Sequence, residues 1–479
     1  MKIALIFPVP MDLQREDPRP MFASFAEPLG LLYIAGVLIE RGYDVSILDH
    51  GATDYTFDDV LNWIKKQNPD VLGISVLTRS FQSGIRIAKL AKDWNPNLTI
   101  ILGNYQTVCA ERILQKYNFI DLCVRGEGEY TMLELLPLIQ KNNSNYEDVK
   151  GLYYRKNGSV KSTVPRELEK NLDNFPIPNR TLIKGVNYKM SMGGLELSKE
   201  KSGTIMMSRG CPYQCRFCSV NHESWRHRSA HNIIQELHLL ESQGYREIMI
   251  MDDNFTINPK WVIEICKNIM KEKIDLVLHC EARIEGTKEM YEYMNRANVK
   301  TIFYGMESGS QRVLDYYKKN ITPAQCKLAL KKARKAGIDM LFASFIVGAP
   351  IETISDIQKT TNLALSLDID YAMFHVFEVF PGIEIWDELV EQNKINEDKY
   401  WETGIRVAEL PFYNIELDFL IDVIRRSYKK FYSLARPKFI FKQFLRSLKS
   451  SYRRDKLRNL GKDFQSSLRM LDSLSEKRF

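Results

Sequence analysis

The chain has 479 residues, a net charge of +7, 44% hydrophobic residues and 27% charged residues. This length predicts more than one domain, and the composition is that of folded globular proteins, which excludes a wholly disordered chain. No apolar run reaches the roughly 18 residues of a membrane-spanning helix, and the first residues lead into a strand pattern rather than a signal peptide. We therefore expect a cytoplasmic protein whose scattered cysteines are reduced.

Strand and helix patterns alternate along residues 1–145. Continuous apolar and β-branched runs predict strands at 2–8, 43–48, 71–76, 98–102 and 120–124. The intervening segments predict helices at 28–40, 57–66, 83–93 and 109–116. Strands without polar alternation are typical of a parallel sheet that is covered on both faces. The pattern predicts an α/β domain with a doubly wound, Rossmann-like sheet.

Small and polar residues follow three of these predicted strands. They are Ser75, Leu77, Gly103, Asn104, Gly126 and Glu127. Such sheets bind ligands at the carboxyl ends of their strands, so these residues are candidate ligand contacts. A nicotinamide cofactor is disfavoured, because no Gly-x-Gly-x-x-Gly follows the first strand. A domain that binds nothing is the alternative.

A linker is predicted over residues 146–200. A hairpin with an Asn157-Gly158 turn opens it, and two prolines, Pro176 and Pro178, give it an extended stretch. Longer strand–helix units follow over residues 201–390. Six such units predict a partial (β/α)6 barrel, with its chemistry at the carboxyl ends of the strands.

Three cysteines, Cys211, Cys215 and Cys218, follow the first barrel strand directly. Three thiolates from one loop can hold three irons of a cubane iron–sulfur cluster, which leaves the fourth iron open to a small molecule. A zinc site completed by His222 or His227 is the alternative, since zinc takes four ligands.

The other predicted barrel strands also end in polar residues or glycines. The candidates are Asp253, Asn254, Glu281, Arg283, Glu307, Ser308, Gly348 and Pro350. Four more side chains are expected to point into the barrel or its mouth, as substrate contacts or as core: Tyr304, Tyr371, His375 and Glu378.

The Cys-x3-Cys-x2-Cys loop, with the aromatic Phe217 before its last cysteine, resembles the cluster loop of the radical SAM enzymes. The resemblance implies a 4Fe-4S cluster on the three cysteines, with S-adenosylmethionine (SAM) on the open iron and a 5′-deoxyadenosyl radical as the product of SAM cleavage. It also implies a SAM site: Asp253 and Asn254 near the amino group, Glu281 and Arg283 near the carboxylate or ribose, Glu307 and Ser308 near the ribose, and Gly348 and Pro350 near the adenine.

The loops of the first domain look like those of cobalamin-binding domains. Together the two halves resemble the class B radical SAM enzymes, which place a cobalamin domain before the barrel. Cobalamin is therefore the third implied cofactor. The loop at 9–27 contains no histidine that could ligate cobalt, and Asn104 and Gln106 depart from the Gly-Gly-x-His of many cobalamin domains.

Residues 391–479 are predicted to form a basic, helical C-terminal region. The segment from Arg425 to Lys462 contains fourteen basic residues and one acidic residue, so its net charge is +13. The rest of the chain therefore has a net charge of −6. Apolar residues Phe441 and Leu445 recur at helical spacing beside basic ones, which is typical of a helix that binds anionic lipid. The alternative is that the apolar face packs on the barrel. No RNA-binding module is recognisable, so no nucleic-acid partner is expected.

The resemblance favours a cobalamin-dependent methyltransferase that acts on an unactivated carbon. The expected partners are a small-molecule or lipid-like substrate, an external electron donor and, through the tail, the membrane surface. A radical cyclase, oxidase or carbon–carbon coupling enzyme is the alternative. Outside the enzymes, the alternative is an iron–sulfur or zinc scaffold that docks on a membrane or RNA.

Overall fold

The computed structural model describes residues 1–10, 26–186, 188, 191–192, 195–196, 200–220, 223–403 and 414–432. The chain divides into two compact units: Met1–Tyr188 with Phe380–Gly382 forms the first, and the rest of the chain forms the second. The domain limits at 145, 200 and 390 stay predictions. Within the described part of the chain, no helix is long and apolar enough to cross a membrane.

The first unit is built on a seven-stranded sheet with the order β2-β1-β3-β4-β5-β6-β7. Its strands are β1 (Lys2–Phe7), β2 (Asp44–Asp49), β3 (Val71–Ser75), β4 (Thr99–Gly103), β5 (Leu122–Val124), β6 (Leu152–Lys156) and β7 (Ser159–Ser162). Strands β1 to β5 are parallel, and the hairpin β6–β7 adds two antiparallel strands. The predicted doubly wound sheet is confirmed, and the chain order reverses beside β1, where such sheets bind ligands.

Helices cover this sheet. They are α1 (Leu29–Glu40), α2 (Phe57–Gln67), α3 (Phe81–Trp94), α4 (Ala110–Lys116) and α5 (Gly128–Gln140). Helix α1 packs against α5, and α2 packs against α3. A buried ion pair of 2.9 Å between Arg180 and Glu27 fixes the segment after the hairpin beside the start of α1.

The second unit contains a six-stranded parallel sheet in which neighbours follow chain order, β10-β13-β14-β15-β16-β17. These strands are β10 (Ser202–Ile205), β13 (Glu247–Ile250), β14 (Val277–Ala282), β15 (Val299–Glu307), β16 (Met340–Val347) and β17 (Tyr371–Val376). Two short antiparallel pairs accompany it: β8 (Ser191–Met192) with β9 (Leu195–Glu196), and β11 (Ser208–Arg209) with β12 (Arg226–His227). This confirms the predicted partial barrel.

The helices of the second unit are α6 (Ala230–Ser242), α7 (Pro259–Lys271), α8 (Lys288–Arg296), α9 (Gln311–Tyr316), α10 (Pro323–Lys335), α11 (Ile354–Ser366), α12 (Glu384–Glu391), α13 (Glu397–Thr403) and α14 (Leu417–Phe431). Many of them start with a side-chain cap. Thr322 and Thr353, for example, each accept a hydrogen bond from the backbone N–H three residues on. The large core joins these helices to one face of the sheet.

The opposite face of the six-stranded sheet points into the barrel. Its floor is an apolar cluster of Met249, Met340, Phe342 and Tyr371, with Phe303, Met373 and Tyr432 packed against it. Tyr371 therefore faces inward, as expected. Tyr304 does not: it is fully buried in the core on the helix side, because it lies one residue from the inward Phe303 and neighbours in a strand alternate between faces.

Helix α14 covers the edge strand β17. Tyr428 Oη accepts a hydrogen bond from the backbone N–H of Phe374 at 3.1 Å, and Tyr432 Oη accepts one from that of Ala372 at 3.4 Å. Their side chains thereby satisfy backbone donors that have no further strand to pair with. The tail segment with Phe441 and Leu445 lies outside the described residues.

Candidate functional site

The cysteine loop begins at a turn that only glycine fits. Gly210 has φ +83°, and a Cβ added there would lie 2.5 Å from the backbone oxygen of Ser224. The N–H of Gly210 donates to Asp253 Oδ2 at 3.0 Å. The start of the loop is thus tied to the carboxyl end of β13.

Asp252, which the sequence did not single out, makes a second tie. Its carboxylate accepts hydrogen bonds from the backbone N–H of Met207 at 2.7 Å and from Ser208 Oγ at 2.6 Å. Burial raises the pKa of Asp252 to about 7, and it also raises the pKa of Asp253. Two adjacent carboxyl groups therefore fix both ends of the β11 segment.

The three cysteines lie in one compact loop. Cys215 is buried, Cys211 and Cys218 are half-buried, and the N–H of Cys218 donates to the Cys215 carbonyl at 3.0 Å. Burial raises the pKa of the Cys211 thiol, and that of Cys218 to about 11, so a bound metal is needed to keep them as thiolates.

The donor set of the loop is three cysteine sulfurs, and thiolates are the ligands that hold iron–sulfur clusters. Of the two histidines that could complete a zinc site instead, His227 packs against Trp225 with ring centroids 4.7 Å apart, and His222 lies outside the described residues.

Arg283 contacts the loop from the end of β14. Its Nη1 donates to Cys215 Sγ at 3.3 Å, and its guanidinium lies over the Tyr213 ring at 3.9 Å from the centroid. The sequence marked Arg283 as a SAM contact and missed this contact with the sulfur, because the fold of the loop brings them together across 68 residues.

Helix α12 clamps the loop from another side. Arg216 Nε donates to Glu384 Oε1 at 2.8 Å, its Nη2 pairs with Glu388, and its guanidinium stacks on Tyr316 at 4.6 Å. The backbone N–H of Arg216 donates to the Tyr317 carbonyl at 3.1 Å. None of these partners was predicted, since a lone arginine carries no signal of its partner.

The predicted Phe217 and Glu307 are joined by a residue that the sequence did not mark. Lys319 Nζ pairs with Glu307 Oε1 at 2.8 Å, with both side chains 7% exposed, and lies 5.7 Å from the Phe217 ring centroid. Glu307 has φ +62° and follows an irregularity in the β15–β16 pairing. Glu307 is the last residue of β15.

The segment after β15 packs closely on α11. Ser308 Oγ is fully buried at 3.0 Å from Thr360 Oγ1, and the N–H of Gly309 donates to the same oxygen at 3.0 Å. A Cβ on Gly309 would lie 2.3 Å from the Lys359 carbonyl oxygen. The Ser308 side chain thus shapes this turn rather than pointing to open space.

Gly348 and Pro350 follow β16 in a turn held by Glu352, which the sequence did not mark. Glu352 Oε2 accepts the backbone N–H groups of Gly348 and of Ala349, the latter at 3.1 Å, and Gly348 has φ +95°. Glu352 Oε1 is buried and makes no hydrogen bond with the described residues. Burial raises the pKa of Glu352 to about 7.

Asn254 and Glu281 complete the predicted set. Asn254 Oδ1 accepts the N–H groups of Arg283 at 3.1 Å and of Thr256 at 3.3 Å, while its buried Nδ2 finds no partner within the described chain. Glu281 lies inside β14, level with the inward Phe303. Desolvation, and then the nearby carboxylates of Asp253 and Glu307, raise the pKa of Glu281.

In the first unit, the candidates after β3 and β4 come together at the carboxyl edge of the sheet. Asn104 has φ +75°, and its Nδ2 donates to Ser75 Oγ at 2.9 Å, while Leu77 is 40% exposed. A Cβ added to Gly103 would meet no atom within 4 Å. The edge therefore has the open space that a ligand tail needs.

The candidates after β5 lie on the next strand along. A Cβ on Gly126 would also meet nothing within 4 Å, and its φ is +87°. Glu127 is the N-cap of α5, and its Oε2 accepts the N–H of Glu169 at 3.2 Å.

A three-cysteine loop at the mouth of a partial barrel, combined with an open-edged doubly wound sheet, defines an iron–sulfur enzyme with two cofactor domains. Comparison with protein families agrees: the Radical SAM superfamily profile matches residues 205–364, and the B12 binding domain profile matches residues 22–136.

Two curated relatives span nearly the whole chain. "Uncharacterized methyltransferase PH0819" of Pyrococcus horikoshii is 35% identical over 92% of this chain and 94% of its own length. The anaerobic magnesium-protoporphyrin IX monomethyl ester cyclase of Cereibacter sphaeroides is 26% identical over 85% of this chain and 67% of its own length. The radical SAM methyltransferase TsrM of Kitasatospora setae shares the fold with a TM-score of 0.67, at 17% identity over 82% of this chain and 76% of its own.

The chain belongs to the cobalamin-binding radical SAM enzymes. Its cofactors are a 4Fe-4S cluster, SAM and cobalamin.

Gly210→Ala should impair cluster binding. A side chain in the left-handed region costs about 1–2 kcal/mol, and here the Cβ would also collide with the Ser224 oxygen. We expect much less iron and sulfide than in wild type after anaerobic reconstitution. Gly244→Ala is the matched control, because Gly244 has φ +84° but open space around it. Equal iron content in the two variants would contradict this account of the turn.

Glu352→Gln should flatten the pH dependence of stability. Because the pKa of Glu352 is raised from 4.5 to about 7 in the folded chain, the native state keeps a proton that the unfolded state loses. The free energy of unfolding of the wild type should therefore fall by on the order of 3 kcal/mol from pH 4.5 to pH 7 through this group. Urea titrations at several pH values would test this, and parallel profiles for both proteins would refute it.

Proposed function

We propose that the chain is a cobalamin-dependent methyltransferase that methylates an unactivated carbon atom. The observation that carries the proposal is the Cys211–Cys218 loop, held by Asp253 on one side and by Arg283 on the other. When bound, the cluster and SAM supply a 5′-deoxyadenosyl radical that removes a substrate hydrogen, and cobalamin supplies the methyl group.

In this proposal Cys211, Cys215 and Cys218 ligate three irons and leave the fourth for SAM. The fixed loop supports the assignment, because four contacts hold it: Gly210 to Asp253, Arg283 to Cys215, and Arg216 to Glu384 and Glu388. Phe217 packs at 4.9 Å against Tyr317, which orients the turn between the last two cysteines.

The proposed SAM site lies along the carboxyl ends of β13 to β16. Asp253 and the side-chain Nδ2 of Asn254 would face the amino-acid end of SAM. Glu307 would face the ribose, with Ser308 shaping the turn, and the backbone at Gly348 and Pro350 would face the adenine. Gly348 supports the last assignment. Its left-handed backbone favours glycine, and a glycine has no side chain that would block the adenine.

The proposed cobalamin site is the carboxyl edge of the first sheet. Ser75 and Asn104 would offer hydrogen bonds, Leu77 an apolar contact, and Gly103 and Gly126 the room for the nucleotide tail. Glu127, at the start of α5, closes this edge. The missing side chains at both glycines support the assignment.

The substrate is proposed to be lipid-like. The apolar floor of the barrel, with Met249, Phe342 and Tyr371, and the 40% exposed Met251 above it support an apolar substrate, since methionines adapt to irregular apolar ligands. The basic tail supports a peripheral contact with the membrane surface, where such a substrate is found.

A radical cyclase that transfers no methyl group is the second candidate. It is favoured by the 26% identity to the magnesium-protoporphyrin ester cyclase over 85% of this chain. The fate of the SAM methyl group separates the two reactions.

Cys215→Ala should abolish SAM cleavage. Mutation of residues that only contact a metal's ligands already lowers metal affinity or activity about 10–100-fold, so loss of a ligand should lower the activity further. The readout is 5′-deoxyadenosine formed by the reconstituted protein with dithionite. Cys266→Ala, a buried core cysteine of α7, is the control and should keep its activity. Cleavage at wild-type rate by Cys215→Ala would disprove the cluster assignment.

Gly103→Leu should weaken cobalamin binding, because a large side chain would fill the open space at the sheet edge, whereas Gly103→Ala should be tolerated. Corrin absorption retained after desalting measures binding.

The wild type, given SAM with a labelled methyl group and a cell extract as the substrate source, should transfer label to an apolar product. Label recovered in methionine and not in any other product, while 5′-deoxyadenosine accumulates, would favour the cyclase.

Neutral replacement of four tail residues, Lys442, Arg446, Lys449 and Arg453, should weaken binding to vesicles with anionic lipid, by about 1 kcal/mol per residue at low salt. Flotation with anionic and with zwitterionic vesicles measures the binding. Equal flotation of both proteins on anionic vesicles would exclude this role for the tail.

A further inference from the structure

Arg283 places a buried positive charge against a sulfur of the cysteine loop. Its Nη1 donates to Cys215 Sγ at 3.3 Å, and both residues are 6% exposed. In this low-dielectric position a charge acts on the sulfur with little screening by water.

The direction of this contact is fixed by the rest of the guanidinium. Nη2 donates to the Lys319 carbonyl, Nε donates to Glu285 Oε1 at 2.9 Å, and the flat face lies over Tyr213. Since the guanidinium is planar and rigid, it cannot turn its Nη1 away from the sulfur without losing these partners. The Arg283 backbone is itself held, because its N–H donates to Asn254 Oδ1.

The guanidinium keeps its charge in this position. Arginine stays protonated in proteins, and the carboxylate of Glu285 beside it favours the charged form. Glu285 is one-third exposed, so solvent weakens its effect at the sulfur, whereas the contact between Arg283 and Cys215 is shielded.

We propose that Arg283 is a positioning residue that raises the reduction potential of the cluster through its hydrogen bond to Cys215. The inference rests on the proposed function, because it requires Cys215 to be a cluster ligand. In the reduction, one electron passes from an external reductant to the cluster and no proton moves, so the negative charge on the cluster and its thiolates grows by one. A hydrogen bond from a cation stabilises the more negative state more strongly.

The test is a redox titration of the reconstituted full chain with dithionite, without SAM, followed by the EPR signal of the reduced cluster. Arg283→Gln should lower the equilibrium constant for reduction of the cluster about tenfold, which lowers the reduction potential by about 59 mV for one electron. Arg283→Lys keeps the charge and loses the planar fork, so its potential should lie between those of the wild type and Arg283→Gln. Glu285→Gln should shift the potential upward, because it removes a negative charge beside Arg283.

Arg296→Gln is the matched control. Arg296 also lies over a tyrosine ring, 5.2 Å from the centroid of Tyr293, but both residues belong to α8 rather than to the cysteine loop. The potential of this variant should stay at the wild-type value, which separates the sulfur contact from general loss of positive charge.

Iron and sulfide analysis and SAM binding accompany each titration. Unchanged potentials in the Arg283 and Glu285 variants that carry a full cluster would overturn the inference, and so would weaker SAM binding without a change in potential, which would make Arg283 a SAM ligand instead. If Arg283→Gln assembles no cluster, the Lys and Glu285 variants decide. A wild type without any cluster would overturn the proposed function, and this inference with it.

Discussion

The site depends on two adjacent carboxyl groups at the end of β13. Asp252 holds the backbone of Met207 and the hydroxyl of Ser208, and Asp253 holds the backbone of Gly210. These hydrogen bonds tie the start of the cysteine loop to the end of β13, and so to the sheet. Because buried carboxylates are costly, they persist only where such bonds repay the cost. The other contacts of the loop, from Arg283 and Arg216, act on a segment whose origin is already set.

The site residues could be predicted where they lie close together in the sequence or directly after a strand. The cysteine loop is contiguous, and the strand ends are marked by polar residues that follow apolar runs. Both kinds of signal survive without knowledge of the fold, so the doubly wound sheet and the partial barrel could be predicted strand by strand.

Contacts between distant segments could not be predicted. Lys319 and Glu307 pair across the helix α9 that lies between them in the chain, and Arg216 contacts Glu388 across 172 residues. Each of these residues alone is an ordinary surface charge. Tyr304 shows a subtler limit: a one-residue error in the register of a strand assigns a side chain to the wrong face of the sheet. The roles of the single site residues stay predictions, whereas the family and its cofactors are established.

The tyrosines of α14 have a consequence for how the barrel could be shortened. An open parallel sheet ends in a strand with unused backbone donors, and here the hydroxyls of Tyr428 and Tyr432 occupy two of them on β17. A chain cut after the last barrel strand would present this edge to other molecules as a template for strand addition, and it would uncover apolar residues beside it. Helix α14 therefore also protects this edge of the sheet from strand addition.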